Sequence, residues 1–150
     1  MKPISRREST VATVALNAIK KSKNFGGKKM INSYMVEKKL GEGSFATVYL
    51  CNDTRTDVQY ALKSMNKNIL KKNKVYTCLQ EELKVLSTLE HPNVAWLEEI
   101  IDDPKKDHIY LVTEYHSNGS LGDRVAAINE KHQQKCKDKG IPYQPIGLKL

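Results

Sequence analysis

The chain has 150 residues, enough for one ordinary domain and too few for two complete ones. Hydrophobic residues make up 39% and charged residues 28%, a globular composition, and no run of about eighteen apolar residues is available to span a membrane. The net charge of +8 suggests a nucleic-acid binder until it is located, because residues 1–30 hold eight basic side chains against Glu8 alone and the remainder is nearly neutral.

Cys51, Cys78 and Cys136 show no C-x-x-C spacing and no nearby histidine pair. A disulfide framework and a metal site are both disfavoured, and an intracellular, cytoplasmic location is expected. In chain order, residues 1–30 read as a flexible basic leader. Within it Val11, Val14, Ala15, Ala18 and Ile19 fall on one stripe of a short helix, flanked by Arg6-Arg7 and Lys20-Lys21. Three readings stay open for this arm: a transient helix in a disordered tail, weak contact with the domain or an anionic surface through residues 6–23, and an organelle presequence. Arg6-Arg7-Glu8-Ser9 also resembles a substrate site for basophilic kinases, where phosphate would add nearly two negative charges.

From residue 34 the pattern changes to strands over 34–40, 47–52 and 58–65, with residues 53–57 as the turn between the last two. Residues 67–89 read as one helix stopped by His91-Pro92-Asn93. Two further strands over 95–101 and 108–113 are joined by the polar turn 102–107. A short helix follows Ser117-Asn118-Gly119-Ser120 to about residue 131, and the last twenty residues read as irregular. The order is β-β-β-α-β-β with hairpin-sized links.

The densest chemical signal is Gly41-Glu42-Gly43-Ser44-Phe45-Ala46-Thr47-Val48. Glycines let backbone N–H groups approach a polyphosphate closely. Strands lie on both sides, so the loop is a hairpin tip and not the strand-to-helix turn of a dinucleotide site, and no Gly-Lys-Ser/Thr follows as in a P-loop. In Tyr60-Ala61-Leu62-Lys63, alternation puts Ala61 and Lys63 on one face. Small Ala61 beside Val48 leaves a flat slot for a planar base, with Lys63 within reach of its phosphates. On the helix, the stripe 75–79–82–86–89 places Glu82 among apolar residues, where a buried carboxylate needs a cation. Lys63 is the expected partner.

These residues together resemble the amino-terminal lobe of a eukaryotic protein kinase domain, over residues 34 to about 125. Gly41, Gly43, Ala46 and Val48 match the glycine-rich loop, with Ala46 in place of its third glycine. Ala61-Leu62-Lys63 resembles the family's Ala-x-Lys, Glu82 stands where its partner glutamate belongs, and residues 86–94 are similar to its helix end and His-Pro-Asn. Asp102-Asp103-Pro104 and Asp107-His108-Ile109-Tyr110 look like the calcium/calmodulin-dependent kinase kinases. The resemblance implies an α+β fold: a five-stranded antiparallel sheet with one main helix over 34–117, and the start of a helical lobe over 118–150. It implies ATP binding by residues Leu40 to Val48, Ala61 and Lys63. Thr113 would be the gatekeeper, and the Glu114 carbonyl and His116 N–H would meet the adenine edge.

The family's His-Arg-Asp and Asp-Phe-Gly do not occur, and Gly122-Asp123-Arg124 is no substitute, since it lies in the helix after the hinge. Without a base or a magnesium-holding carboxylate, the chain alone is expected to be inactive, a fragment of a serine/threonine kinase or a short product that acts as a binding module. Magnesium and a protein substrate would then engage only through a further lobe, and no nucleic-acid partner is expected.

Overall fold

The computed structural model describes residues 13–15, 21–23 and 26–145. The chain divides into two compact units, one ending at Tyr115 and one beginning at His116.

Among the described residues of the first unit, eight strands form one sheet. Three are short: β1 (Thr13–Ala15), β2 (Lys21–Lys23) and β3 (Lys29–Ile31). Five are longer: β4 (Tyr34–Glu42), β5 (Ala46–Asp53), β6 (Val58–Asn66), β7 (Leu97–Asp102) and β8 (His108–Glu114). The order is β1-β7-β8-β6-β5-β4-β3-β2, antiparallel throughout except that β1 runs parallel to β7. The five expected strands are present, but a five-stranded, wholly antiparallel sheet is corrected to eight strands. The physical reason lies at the edges. β4 and β7 would each expose a row of unpaired N–H and C=O groups, and segments of the arm pair with both. Residues 13–15 are thus extended, which breaks the helical stripe expected there. Val11, Ala18, Ile19 and Ser9 lie outside the described residues.

Tyr34 Oη donates a hydrogen bond to Glu99 Oε2 at 2.7 Å. Four strand spacings, about 19 Å in a flat sheet, separate β4 from β7 in the order. The sheet is therefore curled, and one face closes on itself around Ile31, Tyr34, Cys51, Leu62, Ile101, Tyr110 and Val112. Beside this interior, Arg55 forks onto Asp53 at 2.8–3.2 Å and lies over the Tyr34 ring. Burial, then the bond to Glu99, push the Tyr34 hydroxyl well above its ordinary value, while burial pushes the Cys51 thiol up to about 12.

The opposite face packs against α1 (Lys67–Lys72) and α2 (Tyr76–Thr88) through Met65, Leu70, Leu79, Leu83, Ile100, Ile109 and Leu111. One helix over 67–89 is corrected to two. Lys74 takes a left-handed φ of 59°. Its N–H meets Lys71 O, and the Val75 N–H reaches back to Leu70 O at 3.0 Å. That Schellman-type end stops α1 without a glycine, held by the apolar contact of Val75 with the core that includes Leu70.

The second unit is built on α3 (Leu121–Asp138). Ser120 and Asp123 form a reciprocal capping box at its start. Gly140, at φ 63°, ends it with the Ile141 N–H on Cys136 O. The helix runs seven residues beyond the expected end, so residues 131–138 are not irregular. Charged side chains hid this part of it, while Ser120 and Gly140 mark its true ends.

Candidate functional site

The site face of the sheet is built row by row from strand register. Met65 pairs with Ala46 and Ile109, in the row that meets the α2 core. Lys63 pairs with Val48 and Leu111, and Val48 in turn pairs with Gly41. Ala61 pairs with Leu50 and Thr113. Directly opposed residues in antiparallel strands share a face, so Gly41, Val48, Ala61, Lys63 and Thr113 lie on one face of the sheet. Leu50 and Leu111 complete the slot. Alternation from Val48 would have found Leu50, and strand pairing, which the sequence does not state, was needed for Leu111.

Packing within the protein does not require the glycines of the loop. A Cβ at Gly41 would meet nothing within 4 Å, and one at Gly43 only Ala46 O at 3.9 Å. Neither has the positive φ that favours glycine. The tip closes with the Gly43 N–H on Ala46 O at 2.8 Å, leaving Ser44 and Phe45 exposed. Leu40 and Glu42 are exposed, and Ala46 and Thr47 are half-buried. Glycine within a strand weakens it, and such a position often marks the close approach of another group.

Lys63 is half-buried and its ammonium, among the described residues, has no hydrogen-bond or ion-pair partner. The expected ion pair with Glu82 is not formed, and Glu82 is exposed. The stripe on which it was placed is corrected. α2 buries Leu79 and Leu83 and packs Tyr76 and Leu86 beside them. Its inward line therefore runs 76–79–83–86, which turns Glu82 away from the core. Val75, Leu79 and Leu86 all contact the core, so the apolar stripe that a binding-module reading would offer to a partner is largely covered.

Thr113 Oγ1 lies 3.5 Å from Ala61 O. The Glu114 N–H bonds Trp96 O at 2.9 Å, and its carboxylate lies 3.4 Å from the Trp96 N–H. His116 opens the second unit and is exposed. In the same unit the Asp123 carboxylate accepts from the Ser120 hydroxyl and N–H. Those bonds hold its pKa below the ordinary carboxylate range, and it serves as a cap.

Two surface concavities lie away from this face. One of about 310 Å³ is lined by Lys67, Tyr76, Asp102 and Asp107 among others, and one of about 230 Å³ runs along α2 beside Leu79, Leu83 and Ile100. At the first, Lys67 is the structural lysine that sequence reasoning missed. Its Nζ is buried and bonds Asp102 Oδ1 at 2.8 Å and Asp103 O at 2.7 Å. Among the described residues no group of three or more His, Cys, Asp and Glu side chains could hold a metal ion. No helix among them is long and apolar enough to cross a membrane.

The profile of the protein kinase domain matches residues 34–141. The chain is similar to serine/threonine-protein kinase GRIK1 of Arabidopsis thaliana, 36% identical over 105 residues, covering 66% of this chain and 26% of the relative. It is similar to CBL-interacting protein kinase 9 of Oryza sativa subsp. japonica, 35% identical over 95 residues, with coverages of 63% and 20%. Ovarian-specific serine/threonine-protein kinase Lok of Drosophila melanogaster is 32% identical over 129 residues, with coverages of 81% and 27%. The chain spans 20–27% of the length of these relatives.

Proposed function

The chain belongs to the protein kinase domain family, and we propose on that premise that the face carrying Val48, Ala61 and Lys63 binds ATP. The observation that supports this reading best is Lys63, a half-buried cation between Val48 and Leu111 with no partner among the described residues. A partly buried lysine with no counter-charge of its own is open to pairing with an anionic ligand. The loop above it carries two glycines that the protein's own packing does not require. The adenine ring lies against Val48, Leu50 and Ala61, with its edge towards Thr113 and the Glu114 carbonyl. The exposed tip of the loop at Ser44 and Phe45 faces the phosphates, and Lys63 Nζ pairs with them. Glu82 joins Lys63 only if α2 turns about its axis, since Leu83 holds the inward position.

The whole activity is transfer of the ATP γ-phosphoryl group to serine or threonine hydroxyls of proteins. It draws on a His-Arg-Asp and an Asp-Phe-Gly that lie outside these 150 residues, and the part of it that we assign to the residues described is holding the nucleotide. The magnesium ion of that chemistry finds no fitting carboxylate cluster among the described residues. Within the family, Asp102-Asp103-Pro104 and Asp107-His108-Ile109-Tyr110 support a place near the calcium/calmodulin-dependent kinase kinases.

Isothermal titration of ATP into the wild-type chain and Lys63→Met tests the site. The variant is expected to bind at least roughly tenfold more weakly, about 1.4 kcal/mol. Equal affinities would overturn the assignment.

A further inference from the structure

The ladder between β7 and β8 ends irregularly. Leu97 pairs with Thr113, and a β-bulge separates that pair from Glu99 and Val112. One antiparallel step further on, Trp96 stands opposite Glu114, and its carbonyl accepts the Glu114 N–H at 2.9 Å. Opposed residues that make such a bond normally exchange both, so the Trp96 N–H would return to the Glu114 carbonyl. It goes instead to Oε2 of the Glu114 side chain, at 3.4 Å.

The exchange of acceptors has a physical basis. A carboxylate is a stronger acceptor than a neutral carbonyl, and a bulge beside Trp96 re-aims the end of the strand. On the other side of β8, Glu114 stands opposite Tyr60 of β6. Hydrogen-bonded and non-hydrogen-bonded pairs alternate across a strand, and Glu114 has already turned its N–H towards Trp96. Its place opposite Tyr60 is therefore a non-hydrogen-bonded one. The Glu114 carbonyl, which the ATP reading sets against the adenine edge, is thereby spared by both ladders.

We infer that the Glu114 carboxylate is a surrogate acceptor: it takes the Trp96 N–H in place of its own carbonyl and so keeps that carbonyl for the exocyclic amino group of adenine. Glu114 is in this respect a positioning residue, whose side chain acts through its backbone. The choice of base rests on the ATP reading, whereas the exchange of acceptors does not. A carbonyl oxygen has two lone pairs, so loss of the surrogate weakens recognition of the base without abolishing nucleotide binding.

Calorimetric titration of the full chain with ATP and with purine riboside triphosphate, which lacks the amino group, tests the inference. Wild type is expected to prefer ATP roughly fivefold, the worth of one hydrogen bond. Glu114→Ala releases the Trp96 N–H to the backbone carbonyl, and the preference should fall below about twofold. Glu114→Gln, whose amide oxygen still accepts, should restore at least about threefold. Should Glu114→Ala fail to fold, Glu114→Met keeps the length of the side chain without its oxygens and reads the same ratio. Equal weakening of both nucleotides would mark a merely structural contact and overturn the proposal. The bond itself is read without ligand, from the NMR coupling across the hydrogen bond between the Trp96 nitrogen and the carbonyl carbon at position 114. It should be absent in wild type and appear in Glu114→Ala. Its presence in wild type, or its absence in both, overturns the surrogate. Its appearance in the variant alone, with neither nucleotide bound by wild type, upholds the exchange of acceptors and sinks the ATP reading instead.

Discussion

Lys63 and Lys67 lie four residues apart, at the centre of β6 and just beyond its end, and they solve the same problem in opposite ways. Lys67 is 6% exposed and is matched by the Asp102 carboxylate and the Asp103 carbonyl. Lys63 sits between Val48 and Leu111 with no counterpart among the described residues. A buried charge that is fully answered serves the fold. One that is half-buried and unanswered gives the fold nothing, and so points to a ligand. The contrast extends to whole faces of the sheet: the curled interior is sealed and cross-linked by Tyr34 and Glu99, while the opposite face is covered by α2 only as far as Met65 and Leu111.

The largest expected effect comes from exchanging the fates of the two lysines. Lys67→Met leaves Asp102 and the Asp103 carbonyl without their cation. Breaking a buried pair by removing one partner typically costs about 3–5 kcal/mol, and because Asp102 keeps some contact with water a loss of about 2–3 kcal/mol is expected here. Lys63→Met should change stability by no more than about 0.5 kcal/mol, or raise it, because no bond is lost. Urea denaturation of both variants measures this directly. Equal losses would erase the distinction between a structural and a ligand-facing lysine.

Acid titration sharpens the same comparison on the sealed side. Burial works against the Asp53 carboxylate, but hydrogen bonds from the Arg55 side chain and backbone N–H outweigh it and hold its pKa below the ordinary range. A depressed carboxylate contributes stability above its unfolded value of about 3.9, and that contribution disappears as pH falls through the lower native value. Urea midpoints for the wild type should therefore fall below about pH 4. Asp53→Asn should start lower at neutral pH by about 1.5–3 kcal/mol, the worth of charge-assisted hydrogen bonds, and lose less on acidification. Parallel acid limbs in the two proteins would show that Asp53 is not the titrating group.

What the sequence made legible follows from how local each signal is. Alternation alone locates β4, β5, β6 and β8, and it puts Ala61 and Lys63 on one face, as the register does. Glu82 failed because the stripe 75–79–82–86–89 stepped three residues from Leu79, whereas the helix buries Leu83, four residues on, and leaves Glu82 exposed. The arm strands failed for a different reason. Three-residue segments such as Lys21-Ser22-Lys23 have no strand pattern of their own and become strands only because a sheet edge is waiting. Lys67 was hidden because its partners, Asp102 and Asp103, lie 35 and 36 residues away and read as an ordinary polar turn.

The smallest expected effect separates two kinds of glycine. Gly119 has φ 71°, and a Cβ there would come within 3.3 Å of Asp123 Oδ2, part of the α3 cap. Gly119→Ala should therefore cost about 1 kcal/mol or more, since a left-handed conformation is unfavourable for alanine. Gly43→Ala meets open space and no positive φ. It should leave the urea midpoint unchanged or raise stability by up to about 1 kcal/mol, by restricting the unfolded chain. If this glycine is there for a ligand, the same change should still weaken ATP binding, because the added methyl stands where phosphate oxygens would approach the backbone. A stability loss at Gly43 as large as at Gly119 would mean that the loop's glycines serve the fold, and Lys63 alone would then mark the site. Stability kept with affinity lost would put the function of this loop in the space above the protein backbone.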